Sequence, residues 1–576
     1  MKMFAVLKNK WLYLALAFLS VVNLFYMHRF VLETGTIEVY SHTKFFFLDN
    51  FMSILFDVSV LILCFYVLTI KRMKLTLIIV FVLTWLWSFA NVIYARFFFQ
   101  YLTLNMVSNA SNLLDSFFLD YVPLAFGISD IVLLSTMMGC VFLSCKLRSE
   151  SVSVKQTYFV LGFPIVLVLV YFSAHFIRYT FVPATHLRGS YCEYIESEND
   201  CSDYNLSPNK WNFSLGFFRC QVRLFFEWTG AVELSSEDLV QIKTFVERQN
   251  GYLQKCTVDR KNLIFILVES YWSSSSGLSL INGQEVTPFL NSLKNDTTVY
   301  FNAKVKPNIG RCMSFDGQFI YMSGLLPMQS ESTLSYLNGV ELCGLGTLMK
   351  LYANKETRMV LPTAPSVWNQ ADMCCKYGID RLNSSIDYNS SIYIGDEKLF
   401  KFAKQEDEKA KSPFFSVVLT LTMHSPYEVG APKDYDFSFP AGYSSGYCNY
   451  LKRCKYLDEQ IESYFKYLKE SGLYDESVIV IASDHLPLYD WTGDEKAFPE
   501  YMPLYIVNSG LDLSKAYDGE INQVDVYPTI LDMFGIESEW RGIGKSIFSD
   551  DYSNVVNDSA YIVSEKIIRG RYFNKN

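Results

Sequence analysis

A helical membrane domain followed by an α/β domain with a mostly parallel sheet is the fold class this sequence predicts. Two observations predict it. Apolar stretches of spanning length crowd the first third of the chain, at about 11–29, 51–70, 75–95, 125–145 and 157–180, each near the roughly 20 residues that cross a hydrocarbon layer. Beyond residue 257, short buried-type runs alternate with amphipathic stretches such as Tyr450–Ser471, the pattern of parallel strands joined by crossover helices. At 576 residues the chain exceeds one ordinary core, so two or more domains are expected. The expected division is a five-helix transmembrane domain over 1–182, a connector with a helix over 183–256, the α/β domain over 257–550 and a C-terminal tail over 551–576.

Charge orients the membrane part. Lys2, Lys8 and Lys10 precede the first stretch, Lys71, Arg72 and Lys74 lie between the second and third, and Lys146 and Arg148 follow the fourth. Short cytoplasmic segments retain Lys and Arg, so the N-terminus is expected inside and the end of the fifth span outside. The chain then reads as a multi-pass protein of the cytoplasmic membrane with an extracytoplasmic C-terminal domain. The first apolar run is longer than a signal-peptide core and no small-residue cleavage site follows it, so a retained helix is expected. The segment Arg96–Tyr121 fits either interfacial helices or a loop. In the connector, Ser235-Ser-Glu-Asp238 before Leu239 marks a helix start, with the helix running to Gly251.

Of 13 cysteines, all but Cys64, Cys140 and Cys145 lie in the exported part. An oxidising compartment permits disulfides there, with Cys192–Cys201 and Cys448–Cys454 plausible because they would close short loops. The net charge of −9 and the absence of a basic stripe with interleaved aromatics argue against nucleic-acid binding. A transporter is disfavoured too, since Asp57 and Asp130 sit near span ends and no paired ionisable groups mark a midplane pathway.

Apolar runs in the second half end on polar side chains. Leu263–Val268 leads into Glu269-Ser270, Phe414–Thr422 into His424, Val478–Ala482 into Ser483-Asp484-His485, and Leu504–Val507 into Asn508. Ligands of an open parallel sheet bind beyond the carboxyl ends of its strands, so such residues can converge although distant in sequence. Asp484 and His485 can hold one divalent cation together; a loop-starting Asp beside a backbone-satisfied His also explains the pair. Glu269 follows an unbroken apolar run, and a buried carboxylate needs a partner. A metal is one such partner, a helix N-terminus or an ion pair another. The segment Asn308–Asp316 precedes 317–325, which reads as a helix. A hydroxyl at such a start meets the positive end of the dipole, which favours its ionised form and a phosphoryl group attached to it. Ser314 is therefore the candidate nucleophile, with simple helix capping as the other role open to it. His424 could neutralise a phosphate oxygen or protonate a leaving group, or be a satisfied loop histidine. Beyond the last span only His186, His424 and His485 occur, too few for a two-zinc site rich in imidazole. A single hard ion, Mn2+ or Mg2+, suits Glu, Asp, one His and a hydroxyl, with Zn2+ also open.

Taken together, the five spans, Val268-Glu269-Ser270, Thr287-Pro-Phe-Leu290, Ser314 shortly before Asp316, Met423-His424-Ser-Pro, Ser483-Asp484-His485 and Gln523-Val-Asp-Val-Tyr-Pro-Thr529 resemble the lipoteichoic acid synthase and phosphoglycerol transferase family. That family is the membrane-bound branch of the sulfatase/alkaline phosphatase superfamily, and the likeness covers nearly the whole chain. The resemblance implies a sulfatase-like fold for the C-terminal domain. It implies that Glu269, Ser314, Asp484 and His485 bind one metal, conventionally manganese, with His424 in the substrate pocket. Val367-Trp368-Asn369 is similar to a family segment in which a Trp helps hold glycerol phosphate. Two positions depart from the family pattern. Met313 replaces the basic residue common before the nucleophile, with Arg311 a substitute from a shifted position, and Gln370 stands where an Arg often follows Trp-Asn. Cys312 lacks the Cys-x-Pro/Ala-x-Arg context of formylglycine sulfatases.

The function implied is ping-pong transfer of a phospho-headgroup, phosphoglycerol or a similar one, from a membrane phospholipid to a glycan or lipid acceptor of the cell envelope. Phosphoethanolamine transfer, or phosphodiester or sulfate-ester hydrolysis, is the alternative within the superfamily. A non-catalytic membrane-anchored binding protein is the alternative outside it.

Overall fold

The computed structural model describes residues 2–34, 46–69, 72–98, 101–102, 126–127, 130–147, 162, 164–173, 232–247 and 261–574, apart from 311, 330–331, 364, 366, 385–394, 411–412, 429 and 490. The chain divides into two compact units, one reaching to Gly230 and the other comprising essentially Ala231–Asn576.

The first unit is helical. Trp11–Val31, Asn50–Leu68 and Met73–Arg96 are long and apolar enough to cross a membrane. The fourth and fifth expected spans are represented by shorter apolar helices, Ile131–Lys146 and Pro164–Ser173. Leu16, Leu24, Val31, Ile54, Val58, Leu77 and Phe81 pack between the helices, while Trp11, Phe18, Phe51 and Leu86 face outward. Apolar side chains on both the inner and the outer faces suit a lipid surrounding. Polar groups turn inward instead: the Thr136 hydroxyl donates to Asn23 Oδ1 at 2.7 Å, and Arg96 Nη1 to Asp130 Oδ2 at 2.9 Å.

The second unit is built on one eight-stranded sheet of order β4-β3-β5-β1-β6-β7-β2-β8. The strands are β1 Asn262–Val268, β2 Val299–Lys306, β3 Glu356–Leu361, β4 Arg381–Ser384, β5 Phe414–Leu419, β6 Ser477–Ser483, β7 Met502–Val507 and β8 Ile521–Asn522. Every residue of β1, β6 and β7 is buried, as expected of strands covered on both faces, whose apolar runs need not alternate. On one face Ile264, Ile266, Ile479 and Ile481 meet Tyr450, Leu457 and Ile461 of the helix Ser445–Glu470. On the other, Phe265 packs against Tyr321 of the helix Ser314–Ser323, ring centroids 5.2 Å apart.

Register positions the site. β1 runs parallel to β6 with Val268 opposite Ser483, and the amide of Asp484 continues the ladder onto the Val268 carbonyl at 3.0 Å. Glu269 and Asp484 therefore leave adjacent strands side by side, about 4.8 Å apart in backbone spacing. β5 runs parallel to β1 on its other side and delivers the His424 loop to the same edge.

Three expectations change here. β7 is antiparallel to β6, so Asn508 emerges at the opposite end of the sheet, where its Nδ2 donates to the Tyr474 and Ser477 carbonyls at 2.8 and 3.2 Å. An apolar run does not reveal strand direction. Cys448 and Cys454 are free thiols within one helix; six residues of helix rise about 9 Å, beyond the reach of a disulfide. Cys192 and Cys201 lie outside the described residues. The helix expected over 317–325 spans Ser314–Ser323 and is closed by Gly324 at φ 68°.

The connector helix is Ser236–Glu247, opened by reciprocal bonds between Ser235 and Asp238: the Asp238 amide donates to Ser235 Oγ at 3.1 Å and the Ser235 amide to Asp238 Oδ2 at 2.9 Å. It is tied to the helix Asp558–Arg569 by Lys566 and Asp238 at 2.6 Å. The segment expected as a tail thus includes a helix that buries Val563, Ile567 and Ile568.

Candidate active site

Glu269, Asp484 and His485 are buried with ligand atoms within 4.8 Å of one another. His485 Nε2 lies 3.3 Å from Glu269 Oε1 and 3.7 Å from Asp484 Oδ2. The Ser314 hydroxyl joins them, 3.2 Å from Glu269 Oε2 and 3.0 Å from His485 Nε2. Four side chains separated by up to 216 positions of sequence meet because three loops share one sheet edge.

Local structure fixes each of them. After Glu269 the chain turns sharply at Ser270, φ 51°, whose hydroxyl donates to Glu269 Oε1 at 2.7 Å and whose amide donates to Asp484 Oδ1 at 2.8 Å. The His485 amide gives the same oxygen a second bond at 2.7 Å, leaving Asp484 Oδ2 toward the cluster. His485 Nδ1 sits 2.6 Å from the Leu486 carbonyl, so the Nδ1–H donates there and Nε2 is directed at Ser314, the arrangement that sets a ligating tautomer.

Ser314 is the first residue of its helix and follows Met313, held at φ 40°, ψ −105°, a conformation that costs a non-glycine residue about 1–3 kcal/mol. The buried Asp316 carboxylate secures the preceding loop by accepting the amides of Gly310 and Cys312 at 3.0 and 2.8 Å. Burial pushes Asp316 up to about 7, against those two amides. Gly317 permits the final approach: a Cβ there would stand 2.3 Å from the Asp484 carbonyl oxygen. Gly317→Ala is expected to force the helix Ser314–Ser323 off Asp484, lowering stability by about 1–3 kcal/mol. A thermal unfolding midpoint equal to that of the unsubstituted protein would contradict this.

The electrostatics of the cluster are compatible with a bound cation. Burial would raise the Glu269 carboxyl, but the charge and hydrogen bond of His485 and the charge of His424 hold it well below the usual carboxylate range. Burial and the neighbouring Glu269 drive Asp484 upward. For His485 burial works downward, yet Asp484 and Glu269 outweigh it and push the imidazole up to about 10. Asp484 and His485 thus hold protons beside an ionised Glu269, and a divalent cation would replace those protons.

The remaining sequence candidates are spread more widely. His424 follows β5 with Nδ1 2.5 Å from the Ser425 carbonyl, and its charge reaches Glu269. Trp368 is half-buried at φ 51° beyond β3 and, among the described residues, shares no hydrogen bond with the cluster. Arg311 lies outside the described residues. Gln370 is buried and turned inward, exchanging amide bonds with Gln318 of the helix Ser314–Ser323 at 2.8 and 3.0 Å. Gln523, which opens the Gln523–Thr529 motif, supports the site from behind: its Nε2 donates to the Asp484 carbonyl at 2.7 Å and its Oε1 accepts the Asn308 amide at 3.1 Å. The signal for it was present in the Gln523–Thr529 motif, but not the contact.

Residues 261–536 match the family model described as Sulfatase. The chain is 28% identical over 351 residues to lipoteichoic acid synthase 2 of Bacillus subtilis (strain 168), covering 56% of this chain and 52% of that protein. It is also 28% identical over 349 residues to lipoteichoic acid synthase of Staphylococcus aureus (strain USA300), covering 55% and 52%. The chain spans about half the length of these curated relatives. In fold it is similar to the integral membrane protein lipooligosaccharide phosphoethanolamine transferase A from Neisseria meningitidis, with a TM-score of 0.54 at 13% identity, covering 92% of this chain and 98% of that one.

Proposed function

We propose that this chain is a metal-dependent phosphotransferase that moves a phospho-headgroup, phosphoglycerol first among the candidates, from a membrane phospholipid to an extracytoplasmic glycan or lipid through a covalent Ser314 phospho-enzyme. The observation that carries the reading is the Ser314 hydroxyl at 3.2 and 3.0 Å from Glu269 and His485, at the start of a helix. Two carboxylates, one imidazole nitrogen and a hydroxyl fit a single divalent ion, Mn2+ before Mg2+ or Zn2+. Such an ion, when bound by Glu269, Ser314, Asp484 and His485, would supply the positive charge that favours an ionised serine and offsets charge on phosphate oxygens.

The chain's own groups then divide the work. Ser314 Oγ forms a bond to phosphorus while the bond from phosphorus to the diacylglycerol oxygen breaks, and His424 gives that oxygen its proton. In the second half, His424 takes the proton of the acceptor hydroxyl, whose oxygen displaces Ser314 from phosphorus. The helix dipole at Ser314 favours the anionic serine and the phosphorylated state alike. Five N-terminal spans with the N-terminus cytoplasmic would place the domain outside, beside the headgroups it uses. The apolar helices and the flanking basic residues support that topology.

Gln370 favours phosphoethanolamine as the second reading of the donor, because no guanidinium at that position meets phosphoglycerol. Full-length protein offered vesicles of phosphatidylglycerol or phosphatidylethanolamine, with diacylglycerol release measured, tests both. Release from neither would remove the phospholipid donor. His424→Ala is expected to lower the release by about 10²–10⁴-fold while cation binding, measured by calorimetry, persists.

A further inference from the structure

The loop carrying His424 is gripped by buried charges on both sides. On one side stands Asp396, fully buried at the start of the helix Asp396–Glu408. Its Oδ1 accepts the amides of Leu421 and Thr422 at 3.0 and 3.2 Å, and its own amide donates to Thr422 Oγ1 at 3.2 Å. On the other side stands Arg453, buried on the helix Ser445–Glu470. Its Nη1 donates to the carbonyls of Thr422, at 3.4 Å, and of His424, and its Nη2 to the Pro426 carbonyl at 2.9 Å. The guanidinium carbon lies 5.4 Å from the centroid of the Tyr427 ring.

Burying a guanidinium and a carboxylate is costly, and ordinary loop packing does not require it. What these two groups add is direction: Asp396 holds the amides of Leu421 and Thr422, and Arg453 holds the carbonyls of Thr422, His424 and Pro426, so the loop is tied on both sides of His424. A planar fork that engages three alternate carbonyls at once is a geometry lysine cannot reproduce. We propose that Arg453, working against Asp396, is a positioning residue that sets His424 for proton transfer. This rests on the proton-transfer role given to His424 above.

The test uses full-length protein on whichever of the two phospholipid vesicles releases diacylglycerol, together with hydrogen exchange. Arg453→Ala is expected to lower kcat by about 10²-fold, the loss that a displacement of about 1 Å brings at a reacting group, with little change in KM. Added guanidinium ion should restore much of that rate in Arg453→Ala and none in His424→Ala. The Leu421 and Thr422 amides should exchange faster in Arg453→Ala while those of β1 do not. If the alanine variant fails to fold, Arg453→Lys keeps the charge without the fork and should still show the lowered kcat. Undiminished turnover and unchanged loop exchange in either variant, with His424→Ala impaired, would overturn the positioning role and leave the proposed function standing. Full turnover in His424→Ala, with Ser314→Ala inactive, would overturn the His424 role on which the inference depends.

Discussion

Ser314→Ala is expected to remove turnover and the covalent phospho-enzyme together, with a fall of about 10³-fold or more. Ser314 Oγ is the oxygen that joins Glu269 and His485 in hydrogen bonding at the helix start. The neighbouring hydroxyl of Ser270 is committed to Glu269 Oε1 at 2.7 Å, so it is not oriented to take over. Cys312 is buried with its sulfur 3.0 Å from Ser332 Oγ and cannot substitute either. Ser314→Thr retains a hydroxyl at the same position and should keep part of the rate. Mass spectrometry of the protein after exposure to phospholipid reads the adduct directly. An adduct that persists in Ser314→Ala would place the nucleophile elsewhere.

The second large effect is the response of stability to cations and pH. Asp484 and His485 bind their protons more tightly in the folded protein than in the unfolded chain, for the burial and charge reasons given above. The folded state therefore holds more protons from about pH 4 upward, and stability in a chelator falls as pH rises. His485 contributes fully below its ordinary value of 6.5 and loses that contribution as pH rises through about 10. Glu269, held low, acts in the opposite sense, its contribution present above 4.5 and lost in acid. Between pH 6 and 9 the first pair governs. A divalent cation takes the place of those protons, so its stabilisation should grow with pH and reach about 2.7 kcal/mol at a hundredfold excess over Kd. The thermal unfolding midpoint in chelator should drop from pH 6 to pH 9, and Mn2+ should raise it more at pH 9. Asp484→Asn should abolish the Mn2+ response. A midpoint indifferent to Mn2+ at both values would contradict the cation site.

Legibility of the fold followed the range of the interactions that make it. The runs that became β1, β5 and β6 stand out in sequence because strands buried on both faces are continuously apolar, and the polar residues that end them are visible for the same reason. Strand direction is set by pairing partners, so Asn508 could not be separated from Asp484 until β7 was seen to run antiparallel. The helix Ser314–Ser323 begins at Ser314 because Met313 and the Asp316 carboxylate shape the turn, a tertiary arrangement with no periodic trace. Gly317, Gln523, Asp396 and Arg453 act across long sequence separations on backbone atoms. A residue that bonds to a distant carbonyl leaves no pattern of its own, and only the packed structure discloses it.

The account turns on one arrangement: Glu269, Ser314, Asp484 and His485 around a single divalent ion. A crystal of the full chain grown with Mn2+, with diffraction recorded at the manganese absorption edge, tests it most directly. The expected result is one anomalous peak enclosed by those four side chains. No peak there, or a Ser314 hydroxyl turned away from Asp484 and His485, would contradict it.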